Sequence, residues 1–374
     1  MKNKVMAIAS LIVLGYVGAA QAQSSVNIYG SIDGGIRHQR NANGVGGAAT
    51  TMSSTGFNTN NRFGFRGIED LGNGLNAHFV LENGFTSGTG TFDNTSNKLF
   101  SRSAFVGLGG SWGAVDLGRQ FSVNFKTIGA YDPFNYNYPS LIPLAASAFG
   151  NSPIVVSNAI NPTGTLGGYR FDNDIQYTGT FGPVTVRGEY VLGEVAGSTR
   201  NGSAQAIGAT YSDGPLSFGG AYGQKTATFT ASGPGLPGTV PAGSYQDGKQ
   251  WTAGGAYRFG NFRVAGGYIK ETQENGSALR EAHVKNSWAG LSYNFNPALK
   301  LTGAFYRTKV GFIGGAEGKR DLWIVGAGYA LSKRTSLYGE IDQIRLSGAI
   351  LGAPGLAGAR ILQNGLSVGM THQF

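Results

Sequence analysis

Apolar and polar residues alternate one for one along most of this chain. In VNIYGSIDGGIR, Val26, Ile28, Gly30, Ile32, Gly34 and Ile36 hold one parity, while Asn27, Tyr29, Ser31, Asp33, Gly35 and Arg37 hold the other. In NRFGFRGIED, Phe63 and Phe65 oppose Arg62, Gly64 and Arg66. In LNAHFVLENGF, Leu75, Ala77, Phe79, Leu81 and Phe85 oppose Asn76, His78 and Glu82. Further on, Tyr169, Phe171, Ile175, Tyr177 and Phe181 oppose Arg170, Asp172, Asp174 and Gln176, and Trp251, Ala253, Tyr257 and Phe259 oppose Thr252, Ala256 and Arg258. A period of two puts every second side chain on one face of a strand. Helical apolar spacing is scarce, so the pattern predicts an all-β chain of about sixteen strands.

The connectors fall into two lengths. DLGNG, GSWG, GP, DGP, GN, NP and SKR are short and rich in turn residues, as tight hairpins require. Between them lie longer polar, Gly-rich segments, roughly 38–60, 86–100, 122–168, 193–204, 227–249, 272–285, 310–320 and 346–363. Short and long alternate strictly. In an up-and-down antiparallel sheet one rim then has only short turns and the other only long loops, the asymmetry of an outer-membrane barrel with periplasmic turns and extracellular loops. A solenoid or propeller would show a repeated unit, and none is visible. A soluble sandwich would carry long apolar runs, whereas here glycine breaks the apolar faces and charge lines the opposite ones. A transmembrane barrel reconciles these facts: one face meets lipid, the other a water-filled lumen, and closure leaves no backbone group unpaired in hydrocarbon. Tyr29, Phe79, Phe85, Tyr190, Trp251, Phe259, Tyr293, Phe295, Trp323, Tyr329 and Phe374 lie near predicted strand ends and suit interfacial girdles.

Composition sharpens this picture. MKNK, the apolar run VMAIASLIVLGYVGAA and the small residues Ala20–Ala22 have the layout of a secretory signal, with cleavage expected between Ala22 and Gln23. Residues 1–22 are thus a predicted signal peptide and 23–374 the barrel domain. Beyond the signal no stretch approaches the roughly 18 apolar residues that a membrane-spanning helix needs. Glycine numbers 63 of 374 residues, more than twice the typical ~7%, without the period of collagen. The absence of cysteine excludes disulfides and thiolate metal sites. The charge is +9, or +7 once Lys2 and Lys4 are gone, with no dense basic run of the kind nucleic-acid binding uses.

The chain resembles a known family, the Gram-negative general porins, trimeric 16-strand barrels of the outer membrane. The stretches that carry the resemblance are SSVNIYGSIDGGI, NRFGFRGIEDLGNGLNAHFVLENGF, SRSAFVGLGGSWGAVDLGRQF, DNDIQYTGTFGPVTVRGEY and GLSVGMTHQF, which run from one end of the expected mature chain to the other. The resemblance implies a homotrimer with one pore per subunit, set in outer-membrane lipid and lipopolysaccharide and passing small hydrophilic solutes and ions. It also implies that the third extracellular loop folds into the barrel. The third long connector is the longest here, and its YDPFNYNYPSLIPLAASAFGNSP is too apolar for a freely solvated loop.

Pore selectivity comes from width and from charge held where it is poorly screened. Arg37, Arg62, Arg66 and Arg102 fall on the charged faces of the first third, with Arg119 closing the next strand. In a barrel they cluster on one wall, with Asp132 on the loop and Asp116 as the opposing charges. Arg119 fits only if a bulge breaks the alternation that sets it beside Val115 and Leu117. The excess of arginine predicts a mild anion preference, for a passive pore or for a channel specific for phosphate or an organic anion.

Enzyme readings find little to use. His38, His78, His283 and His372 are scattered, with no metal-ligand spacing, so neither a metal nor a cofactor is expected. GVGGAA brushes the dinucleotide fingerprint without its strand–helix setting. In GLSVGMTHQF, Gly365, Ser367 and Gly369 spell the nucleophile elbow of hydrolases, but that elbow joins a strand to a helix and only five residues follow Gly369. Read as the last strand, Leu366, Val368, Met370, His372 and Phe374 share the lipid face. In the family resembled, a terminal strand ending in Phe is what the outer-membrane insertion machinery reads, which would make Phe374 an assembly signal.

Overall fold

The computed structural model describes residues 25–42, 44, 46–52, 57–94, 97–134, 170–228, 245–273, 282–311, 317–348 and 360–374. The expected signal peptide, with Ala22 and Gln23, and residues 135–168 of the third long connector lie outside them. The strands are β1 (Ser25–Arg40), β2 (Ala49–Met52), β3 (Arg62–Gly72), β4 (Leu75–Gly84), β5 (Ser103–Gly110), β6 (Gly113–Phe121), β7 (Arg170–Phe181), β8 (Val184–Val191), β9 (Ala204–Asp213), β10 (Leu216–Thr228), β11 (Tyr245–Phe259), β12 (Phe262–Gln273), β13 (Ala282–Asn294), β14 (Leu299–Gly311), β15 (Glu317–Ala330), β16 (Thr335–Gly348) and β17 (Arg360–Gln373).

Each strand from β3 onward pairs antiparallel with the next, and β1 closes the ring. Its first half pairs with β3, from Ser25↔Ile68 to Ser31↔Arg62, and its second half with β17, from Ser31↔Gln373 to Arg40↔Asn364. The short β2 adds only to the loop-side end of β1. Without it the wall is a closed antiparallel barrel of 16 strands, wide enough to leave an aqueous lumen. No helix among the described residues is long and apolar enough to cross a membrane; the strands cross it.

The two parities face where the alternation predicts. Val26, Ile28, Ile32 and Ile36 are exposed on the outer wall of β1, while Asp33 and Arg37 are buried within. On β17, Leu366, Val368 and Met370 face out and Ser367 and Thr371 face in. The short turns are hairpins that need left-handed backbone: Asn73 and Gly74 have φ of 53° and 76°, and Gly260 has 55°. At the closing seam, Gly30 and Phe374 exchange both backbone hydrogen bonds, at 3.1 and 3.2 Å. The Phe374 ring fills the space where a Cβ on residue 30 would sit, so a larger residue there would push the terminal aromatic away.

Three expectations need correction. The strands run further into the long connectors than composition suggested: β14 reaches Gly311 and β15 begins at Glu317, so the segment taken as a loop over 310–320 is mostly strand. Polar residues at the rim keep the two-residue period, and rim strands are as hydrophilic as loops. Tyr29 is not a girdle residue; its hydroxyl donates to Glu82 Oε2 at 3.0 Å inside the lumen. Phe171 and Ile175 do not share a face either. Asn173 has a φ of 56°, and the β6–β7 register shifts between Gly118 and Gln120. The irregularity turns Phe171 inward, against Val191, Ala204 and the Lys225 ammonium, and leaves Ile175 exposed outside.

Candidate pore constriction

After β6 the chain turns into the barrel. Ser122 caps a short helix, α1 (Val123–Ile128), by accepting from Phe125 N at 3.3 Å, and a 3-10 turn, Gly129–Tyr131, follows. α1 lies along the inner wall over β8 to β11, and the 3-10 turn continues over β11 and β12. At five positions the wall beneath this segment is glycine. A Cβ on Gly208 would lie 2.7 Å from Thr127 Oγ1, one on Gly254 2.7 Å from the Tyr131 ring, one on Gly290 2.5 Å from Pro133, and one on Gly326 3.0 Å from Phe134. Gly223 meets Asn124 in the same way. These glycines, drawn from five strands, form a track that lets the loop backbone approach the sheet.

Polar contacts fix the loop on that track. Val123 N donates to Glu189 Oε2 at 3.0 Å, and Asn124 Nδ2 to Gln250 Oε1 at 2.8 Å. Lys126 reaches Gln120 and Gln176 in the neighbourhood of Asp116, Asp174 and Glu189. Burial draws the Lys126 ammonium below its ordinary pKa, while the three carboxylates act the other way. Trp288 Nε1 donates to the Tyr131 carbonyl at 2.9 Å, and Arg263 to that of Ala130. Ile128, Tyr131 and Phe134 pack with Ile269, Trp288, Tyr306 and Ile324 of the wall.

The residues singled out from the sequence separate into distinct groups. Arg62, Arg66 and Arg102 come together on the far wall around one carboxylate. Glu82 accepts from Arg102 Nε at 2.6 Å, lies 3.7 Å from Arg62 Nε, and also accepts from the Tyr29 hydroxyl. The Arg66 guanidinium stands 5.2 Å over the Tyr29 ring, a cation–π contact. Arg62 and Arg102 thus share one anion, Arg66 rests on the tyrosine bound to it, and Arg66 and part of Arg62 stay open to the lumen.

Arg37 stands apart from that group. It forms a two-pronged pair with Asp342 across β17, at 2.6 and 2.9 Å, donates to Ser367 Oγ at 3.0 Å, and is 2% exposed. Arg119 also stands apart, on the outward parity of its strand. The bulge it required does occur, between Gly118 and Gln120, but it acts on the pairing with β7. On β5, Arg119 remains opposite Ala104, and its guanidinium binds Asp172 and the Ser101 carbonyl at the loop-side rim, joined by Lys98. Asp132 does not look across at the arginines. It is fully buried, accepts from the Tyr306 hydroxyl and from Phe134 N, and so holds the loop to β14. Asp116 pairs with His78 at 2.7 Å.

Sequence reasoning missed the residues that tie these groups down: Glu82 as the shared counter-ion, Asp342 as the partner of Arg37, and Asp33. The buried Asp33 carboxylate accepts from Phe57 N, Asn58 N, Thr59 N, Thr371 Oγ1 and the Tyr338 hydroxyl, and so holds the first long loop against the inner wall. All three carry the inward parity, the one signal that could have found them. Ser367, the serine of the apparent elbow, is buried against Arg37. Among the described residues no group of three His, Asp or Glu side chains could hold a metal.

Known proteins share this architecture. The sequence model of the Gram-negative porin family matches residues 7–349. An outer membrane porin protein of Bordetella pertussis is 29% identical over 368 residues, covering 88% of this chain and 91% of that one. The outer membrane porin protein 32 of Delftia acidovorans is 29% identical over 393 residues and covers both chains fully. Among solved structures, an anion-selective porin from Comamonas acidovorans superposes with a TM-score of 0.74 at 22% identity, over 94% of this chain and 100% of its own.

Proposed function

Because the chain belongs to the Gram-negative porin family, whose barrels span the outer membrane, we propose that its diffusion pore for small hydrophilic solutes and ions is weakly anion-preferring and works as a homotrimer. The observation that carries the anion preference is the wall formed by Arg62, Arg66 and Arg102 around Glu82 alone. Held in a lumen narrowed by the in-folded loop, this excess charge is poorly screened, and it raises the local concentration of anions without binding any one of them tightly. No chemical step belongs to this reading: size exclusion and electrostatics suffice. The anion selectivity of the Comamonas porin agrees with it. The first 22 residues are read as a signal removed after Ala22, and Phe374 as the residue recognised during insertion.

Planar-bilayer recording tests the proposal. Stepwise conductance and a reversal potential of the sign for anions are expected across a potassium chloride gradient. Cation preference would refute the charge argument, and silence would refute the pore. A saturable block by one anion at low concentration would favour a substrate-specific channel instead. A hydrolase assay with Ser367→Ala as control covers the remaining alternative, and equal background rates are expected.

A further inference from the structure

The outer wall carries a charged feature that a pore leaves without a role. From β12 to β15 the register sets Lys270 opposite Lys285, Lys285 opposite Lys309 and Lys309 opposite Lys319. The row continues through Ser347 on β16 to Arg360 on β17. These side chains point outward, because their strand neighbours Ile269, Asn286, Val310 and Arg320 are buried on the inner face. One step further from the loops, Arg307 and Arg345 flank Asp321. Asp321 is shared between Arg307 Nε at 2.7 Å and Lys319 Nζ at 2.8 Å. With Glu317 it supplies the only carboxylates among the described outward positions of this patch, against seven cations: Lys270, Lys285, Arg307, Lys309, Lys319, Arg345 and Arg360.

Such a row is unfavourable by itself. Like charges directly opposite on a sheet repel, and a lysine on a lipid-facing barrel wall costs free energy that grows with depth. Followed the other way, the same row becomes apolar, through Trp251, Tyr222 and Ile207, so the cations are a local feature and not a general rim. Their depth is marked too. The next outward position below Arg307 and Asp321 on these two strands holds Phe305 and Trp323, whose rings pack at 4.4 Å. Aromatic pairs of this kind lie where acyl chains meet headgroups. With strands ~4.8 Å apart, four lysines in register extend along ~14 Å of wall, enough to engage more than one phosphate. A second copy of the chain offering the same face would add like charge. An anionic headgroup at this depth supplies the opposite one.

We propose that the Lys270–Lys285–Lys309–Lys319 ladder binds the phosphates of the outer leaflet's phosphorylated lipid, the lipid A part of lipopolysaccharide. The inference rests on the outer-membrane barrel reading and names the lipid partner of that barrel. The test uses the purified full-length barrel in detergent, titrated separately with bisphosphorylated lipid A, dephosphorylated lipid A and inorganic phosphate. The wild type is expected to prefer bisphosphorylated lipid A. Changing all four lysines to Gln is expected to weaken that binding on the order of a hundredfold, with unchanged single-channel conductance, while changing all four to Arg retains it. Should the fourfold Gln protein fail to fold, Lys285→Gln with Lys309→Gln is expected to weaken binding about tenfold. Equal binding by wild type and Gln variants, or no preference for the phosphorylated lipid over the dephosphorylated one, would overturn the proposal. So would inorganic phosphate binding as tightly as lipid A. A wild type that binds lipid A through the ladder but conducts no ions would overturn the pore reading and leave this one standing.

Discussion

The two inner walls of the barrel are built on opposite principles. On β9 to β15 the wall is stripped to glycine where the third loop touches it, and buried apolar groups and hydrogen bonds hold the loop in place. On β3, β4 and the approach to β5 the wall carries long charged side chains with one carboxylate among three arginines. In the function proposed, one wall sets how wide the passage is and the other sets which ions are favoured within it. The division implies that width and selectivity can be changed separately, and mutations can break or sharpen it.

The largest effect is expected from Arg62→Glu with Arg66→Glu. The double change reverses the sign of the wall and should lower the anion-to-cation permeability ratio by roughly tenfold or more, with little change in thermal stability. Reversal potentials and a melting curve check both halves, and a protein that fails to fold would show that these arginines are structural. Next is Gly254→Leu, which drives a side chain into Ile128 and Tyr131. Overpacking of this kind costs about 1–3 kcal/mol, and the expected result is a displaced loop. Single-channel conductance should change while ion preference stays near that of the wild type. If selectivity moves as far as conductance, the two walls are not independent.

A smaller effect is expected from Tyr306→Phe, which removes the hydroxyl donor to the buried Asp132. Losing a hydrogen bond to a charged group costs about 1.5–3 kcal/mol; the barrel should assemble normally and the open channel should flicker more. Deletion of Phe374 is expected to act least on the pore itself, lowering the yield of outer-membrane protein while leaving the conductance of assembled barrels unchanged. A changed conductance would mean that the seam with Gly30 shapes the lumen.

The alternation of Val26 to Arg37, and of Leu366 to Phe374, made the barrel legible, because a two-residue period maps directly onto lipid and water. Strict alternation of short and long connectors supplied the topology. Selectivity residues were legible only as a list. Arg62, Arg66 and Arg102 could be placed on one wall by neighbouring strands, but their common partner Glu82 required the register between β3 and β4. Arg37 does lie on the inward face, but its separation from the other arginines follows from its partner, Asp342, which lies 305 residues away along the chain. Arg119 stays where simple alternation sets it, beside Val115 and Leu117, because the bulge at Gly118 acts only on the pairing with β7, whereas Phe171 is turned by the backbone irregularity at Asn173, which alternation cannot anticipate. Asp132 carried the right charge on the right loop, yet its burial against Tyr306 depended on which strand the loop crosses.

The glycine track has a genetic consequence. Any single-base change that replaces glycine adds at least one carbon, so at Gly208, Gly223, Gly254, Gly290 and Gly326 no such replacement is smaller than what it displaces. Arginine codons, by contrast, can pass to other polar residues that the wet wall tolerates. Under selection against entry of a toxic solute, spontaneous variants with reduced uptake should therefore accumulate at the glycines beneath the loop before they accumulate at the charges that face it.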